Sequence, residues 1–174
     1  MNHYRWLEPS LQGLAYWIGY RRQLYRHHDL PEAAIVSEFV TLILAHRSET
    51  ERVECEKSYA SLGASRDKTR ADIVIMKEDK PLAVIEVKRY GGDIFKDMER
   101  LSFVKKAHPD VDCLLLVACQ GKLPTRLVDP DTGKGRRGNI SDASFTSRVI
   151  RVCKAAHSFD KIDRANYVCL LEIR

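Results

Sequence analysis

Residues 71–90 read Ala71-Asp72-Ile73-Val74-Ile75-Met76-Lys77-Glu78-Asp79-Lys80-Pro81-Leu82-Ala83-Val84-Ile85-Glu86-Val87-Lys88-Arg89-Tyr90. Two apolar runs, about 71–76 and 82–88, flank the charged stretch Lys77 to Pro81. That pattern predicts two strands joined by a turn. Residues two apart in a strand share a face, so Glu86 and Lys88 point the same way. If the hairpin closes with Met76 opposite Leu82 and Val74 opposite Val84, Asp72 stands opposite Glu86, with Cβ atoms roughly 5 Å apart. Like charges there repel, and the surroundings are apolar. Either one carboxyl keeps a proton or a cation sits between them. Hard oxygen donors suit Mg²⁺ or Mn²⁺. A metal beside Lys88 supplies what phosphodiester hydrolysis needs: a polarised phosphoryl oxygen, an acidified water and positive charge for an anionic transition state. A solvated Glu–Lys pair is the bland alternative and is worth little energetically. It leaves the facing Asp72 and the apolar setting unexplained.

Working outward, residues 10–28 predict a helix, with Ser10 as N-cap and Leu11, Leu14, Ile18 and Tyr25 near one face. Asp29-Leu30-Pro31 stops it and starts a second helix over about 31–47. The second apolar stripe is Ile35, Phe39, Leu42, Ile43 and His46, and Glu38 lies inside it. A carboxylate directed where core residues point is costly unless a cation or donors meet it. Residues 51–57 form a weakly alternating strand, and 60–70 a loop. Past the hairpin, Gly91-Gly92 breaks the chain and Asp93 caps a helix of about 94–107, with Phe95, Met98, Leu101 and Val104 or Phe103 inward. The continuous apolar run Cys113 to Cys119 predicts a central strand covered on both faces. The intervening helix makes it parallel to 82–88. Residues 120–147 form a long loop rich in Gly, Pro and Asp, 148–156 fit either helix or strand, and Tyr167 to Ile173 is a last strand.

Ala71-Asp72 followed by Glu86-Val87-Lys88, in the order helix, three strands, helix, strand, resembles the PD-(D/E)XK nuclease superfamily over roughly 31–119. Ala71 stands where the family's name has proline. The resemblance implies an α/β fold with a restriction-endonuclease-like αβββαβ core, a mixed central sheet flanked by helices. One nuclease-like domain would then span 1–174, with helix 10–28 and residues 120–174 as additions. It further implies a metal-dependent endonuclease. Asp72, Glu86 and the main-chain carbonyl of Val87 would ligate Mg²⁺ or Mn²⁺, Lys88 would be the catalytic lysine, and Glu38 would orient a metal-bound water or a second metal. DNA is the expected substrate, with RNA the alternative; a junction resolvase within this class would be a homodimer. The competing function is a catalytically inactive module, on the same fold, that binds nucleic acid or protein. Intact Asp72, Glu86, Lys88 and Glu38 weigh against it.

Composition agrees with a polyanionic partner. The 174 residues carry a net charge of +5, and the pI is near 9.0. Arg21, Arg22, Arg26, His27 and His28 cluster at the end of the first helix, and Lys134, Arg136 and Arg137 in a glycine-rich loop. Solvated surface is the simpler reading of each cluster alone. That loop lacks the preceding strand and the Lys-Ser/Thr ending of a P-loop, so its role would be gripping a nucleic-acid backbone. Arg89, Lys96 and Arg100 are further candidates for backbone contacts. Five cysteines without a CxxC argue against a disulfide framework, a zinc finger or a cysteine-ligated cluster. The six histidines show no HxH or HExxH spacing, and none is assigned to metal. No apolar run reaches the ~20 residues of a membrane span, and residues 1–6 have no signal-peptide apolar region, so a cytoplasmic, membrane-free protein is expected.

Overall fold

The computed structural model describes residues 7–24, 29–63, 69–155 and 165–174. The expected basic end of the first helix at 25–28, residues 64–68 of the expected loop, and residue 156 lie outside the described residues. Among the described residues the fold is mixed α/β: one seven-stranded mixed sheet with three α-helices. In chain order the elements are α1 (Glu8–Leu24), α2 (Glu32–His46), β1 (Glu51–Ser58), a 3-10 turn (Tyr59–Leu62), β2 (Arg70–Lys77), β3 (Lys80–Arg89), α3 (Ile94–Ala107), β4 (Asp112–Cys119), β5 (Asn139–Ser141), β6 (Thr146–Lys154) and β7 (Tyr167–Ile173). The strands lie in the order β1-β2-β3-β4-β7-β6-β5. Among the described strands only the β3–β4 pair is parallel, as the intervening helix requires.

Two cores cover the two faces. On one, Met98, Leu101 and Val104 of α3 pack with Val74, Val84, Leu115, Val117 and Cys169. On the other, Leu11, Leu14 and Ile18 of α1 and Ile35, Phe39 and Ile43 of α2 pack with Ile73, Ile85, Val87, Leu114 and Leu116. Central β4 is apolar along its length because both its faces are covered. Asp93 caps α3 as expected, its side chain accepting from Lys96 N. All five cysteines are free thiols, and all but Cys55 are buried. Among the described residues no helix is long and apolar enough to cross a membrane.

Several local expectations are corrected. Ser10 is not a cap; α1 starts at Glu8, and the buried Ser10 hydroxyl donates to the Leu42 carbonyl across the α1–α2 interface (3.1 Å). His46 is exposed, its ring against the Leu42 carbonyl of its own helix. Phe103 is 42% exposed, and Val104 takes the core position instead. Residues 148–154 belong to β6; its faces are only half buried near the sheet's edge, which explains why neither period is distinct. The β2–β3 turn is shorter than expected. Lys77 pairs with Lys80 and Met76 with Pro81, not Leu82. A bulge at this point absorbs the extra residue, and Ile75–Ala83, Val74–Val84 and Ile73–Ile85 pair in the expected register.

Candidate active site and metal centre

Asp72 and Glu86 follow the Ile73–Ile85 pair on adjacent strands. Glu86 shares a face with Val84 and Lys88, the face covered by α3. Asp72 shares that face with Val74, close enough to Glu86 for each carboxyl to perturb the other's titration. The Asp72 side chain also accepts the Val87 amide (2.7 Å). In a strand the N–H and C=O of one residue point to the same neighbour, so the Val87 carbonyl lies on the Asp72 side of β3.

Burial pushes the Glu86 carboxyl up to about 9, and the adjacent Asp72 charge adds to the rise. Asp72 is raised as well, chiefly by burial, although the Val87 amide opposes that shift. The pair therefore retains a proton at neutral pH when no cation is present. Glu86 is 4% exposed and accepts a hydrogen bond from the hydroxyl of Tyr59, itself 1% exposed. The donor set of two carboxylates and a carbonyl is all hard oxygen and fits Mg²⁺ or Mn²⁺, which commonly keep several waters. Among the described residues no three Asp, Glu, His or Cys side chains converge to hold a metal.

Lys88 bridges two helices. Its ammonium lies 3.2 Å from Glu32 at the start of α2 and 3.2 Å from Asp97 on α3. Burial pulls its pKa down, but Asp97 and Glu32 outweigh burial, and the net shift is upward. Lys88 is thus a held cation, not a base. Glu32 also accepts the Arg89 amide (3.1 Å). Asp97, 3% exposed, pairs in addition with Arg100 (3.2 Å).

The structure brings Asp72, Glu86 and the Val87 backbone together, and puts Lys88 on the Glu86 face with its ammonium held by Glu32 and Asp97. It does not bring Glu38 to them. Glu38 is half-buried six residues beyond Glu32, about 9 Å along the helix axis, with no hydrogen bond or ion pair among the described residues. The helix carboxylate that meets the site is Glu32. Its sequence signal was an acidic first helical residue, which the helix dipole alone explains. Tyr59 and Asp97 were also missed.

Next to the carboxylate pair opens a cleft of about 610 Å³. Lys88, Arg89, Lys96, Asp97, Arg100 and Lys122 are among the residues lining it; Asp72 and Glu86 are not. Lys88 and Asp97 form the wall between. Three expected nucleic-acid contacts, Arg89, Lys96 and Arg100, therefore share this cleft. The other three, Lys134, Arg136 and Arg137, line a separate hollow of about 390 Å³. Their loop is hydrogen-bonded: Asp129 accepts from the amides of Asp131 and Thr132 (both 3.0 Å), and Asp129 N donates to the Lys134 carbonyl (2.8 Å). Comparison with protein-family models, with curated proteins and with solved structures gave no match.

Proposed function

We propose that this protein is a divalent-metal-dependent nuclease of the PD-(D/E)XK type, hydrolysing phosphodiester bonds in DNA. The observation that carries this reading is buried Glu86 beside half-buried Asp72, each shifting the other's titration, with Lys88 on the same face as Glu86. A buried acid beside a half-buried one is costly, and a site for a cation supplies a reason for them. The order α2-β1-β2-β3-α3-β4 supports the restriction-endonuclease-like core, with β5, β6 and β7 extending its sheet.

Asp72, Glu86 and the Val87 carbonyl would hold Mg²⁺ or Mn²⁺. When bound, that ion polarises the phosphoryl oxygen and acidifies a water. Glu86 would serve as a ligand in its carboxylate form, its proton released to solvent, with Tyr59 hydrogen-bonded to it. Lys88 presents its ammonium to the charge that develops on the phosphate, leaving Glu32 and Asp97 as it does so. Arg89, Lys96 and Lys122, among five bases and four acids that line the cleft, are the cations that could meet a nucleic-acid backbone.

The test is cleavage of linear duplex, single strand, flap, four-way junction and RNA with Mg²⁺ or Mn²⁺, using Lys88→Ala as the contamination control. Metal-dependent cutting lost in the variant is the expected result. Absence of cutting by folded, metal-supplied protein would favour the second reading, a binding module without turnover. One observation favours that second reading: Asp72 and Glu86 stand behind the Lys88–Asp97 wall and not on the cleft surface.

A further inference from the structure

Tyr59 lies outside the motif and between two elements, yet its hydroxyl donates to Oε1 of Glu86. The turn that carries it is fastened at three points. The Tyr59 amide donates to the Thr69 carbonyl just before β2 (3.1 Å). The Ser58 side chain accepts from Ala60 N and caps the turn (3.2 Å). At its other end the Leu62 carbonyl meets the His108 ring at the end of α3 (2.7 Å). Gly63 then leaves in the left-handed region with φ 68°, where a side chain would be strained. The ring is buried in the core shared with Met98 and Leu101 of α3.

A buried tyrosine hydroxyl needs a partner, and filling the core would be served by any acceptor. Here the acceptor is the acid at the centre of the site. Glu86 is therefore held by Tyr59, with Asp72 beside it. A carboxylate with a free terminal torsion has a broad orientation, so one firm donor narrows it. Partners of this kind around metal ligands commonly matter ten- to a hundredfold for metal affinity.

We infer that Tyr59 is a positioning residue: its hydroxyl fixes the Glu86 carboxyl so that the group is ready to receive a divalent cation together with Asp72. This inference rests on the nuclease reading of the same site. It adds an element, the β1–β2 connection, that the motif does not contain.

The experiment titrates Mn²⁺ alone into the full chain by calorimetry, with thermal unfolding alongside. Tyr59→Phe keeps the ring and removes only the hydroxyl. Leu62→Val loosens the same turn without touching Glu86, and Glu86→Ala removes the ligand. The expected result is about tenfold or more weaker Mn²⁺ binding in Tyr59→Phe, with near wild-type affinity in Leu62→Val. In turnover, Tyr59→Phe should lower kcat at fixed Mn²⁺ and leave the KM for nucleic acid unchanged. Wild-type Mn²⁺ affinity in Tyr59→Phe, with binding lost in Glu86→Ala, overturns the role of Tyr59 alone. Equal weakening in Leu62→Val overturns it too, leaving a structural turn. Wild-type protein that binds no Mn²⁺, or Glu86→Ala that binds normally, overturns the metal site and this inference with it.

Discussion

Replacing Glu86 by Gln should stabilise the metal-free protein, increasingly so as pH rises. The wild-type carboxyl sits at about 9 in the fold against an ordinary value of 4.5. A folded pKa above the unfolded one contributes stability that is fully present below the unfolded value and is lost as pH rises through the folded value. Between those limits the unfolded chain has released the proton and the folded chain must take it up. The stability lost by a given pH is then set by the distance from the unfolded pKa. At about pH 7.5 that distance is about 3 units, or about 4 kcal/mol at 1.36 kcal/mol per unit. Gln keeps the shape and does not titrate. Urea unfolding of both proteins in chelator, at about pH 5.5, 6.5 and 7.5, should show the difference growing by about 1.4 kcal/mol per pH unit in favour of Glu86→Gln. For a chain of this size 4 kcal/mol corresponds to about 10 °C in Tm. A difference that is flat with pH would mean that Glu86 is ionised in the fold. The retained proton, and with it the main argument for a cation, would then fall.

Other outcomes follow from the same geometry. Mn²⁺ binding near neutral pH should release about one proton, read as a dependence of calorimetric heat on the buffer's ionisation enthalpy; no dependence would contradict the retained proton. Lys88→Ala should lose turnover by about a hundredfold or more while still binding Mn²⁺, and a variant that unfolds would assign Lys88 to the α2–α3 bridge instead. Glu32→Gln should lower kcat more than Glu38→Gln does, and the reverse order would return the role to Glu38. Lys96→Ala should weaken DNA binding evenly across sequences and reduce the salt slope by about one; an unchanged slope would remove it from the binding path.

The hairpin was legible because two short apolar runs flank a charged turn, and that pattern needs no tertiary information. The same holds for α3, whose capping Asp93 and inward Met98, Leu101 and Val104 follow from local spacing. Asp97 was not legible. It stands among Lys96, Glu99 and Arg100 on a helix that reads as solvated at that position. Only the crossing of α3 over β3 turns it towards Lys88 and buries it. Glu38 was read from its place in an apolar stripe, but a stripe gives the face of a helix and not the position along its axis.

By itself, then, the chain determined α1, α2, α3, β1 to β4 and β7, the parallel β3–β4 pair and the neighbouring of Asp72 and Glu86, because each follows from periodicity within a segment or from the connection that joins two segments, whereas β5 lay in the expected loop and β6 in the stretch that fitted helix or strand. Tertiary structure decided which carboxylates reach Lys88, and that Tyr59 reaches Glu86. Those contacts join residues 56 and 27 positions apart through the stacking of helices and a turn on the sheet. Such stacking is set by the sum of many weak apolar contacts spread over both cores, which no local pattern encodes.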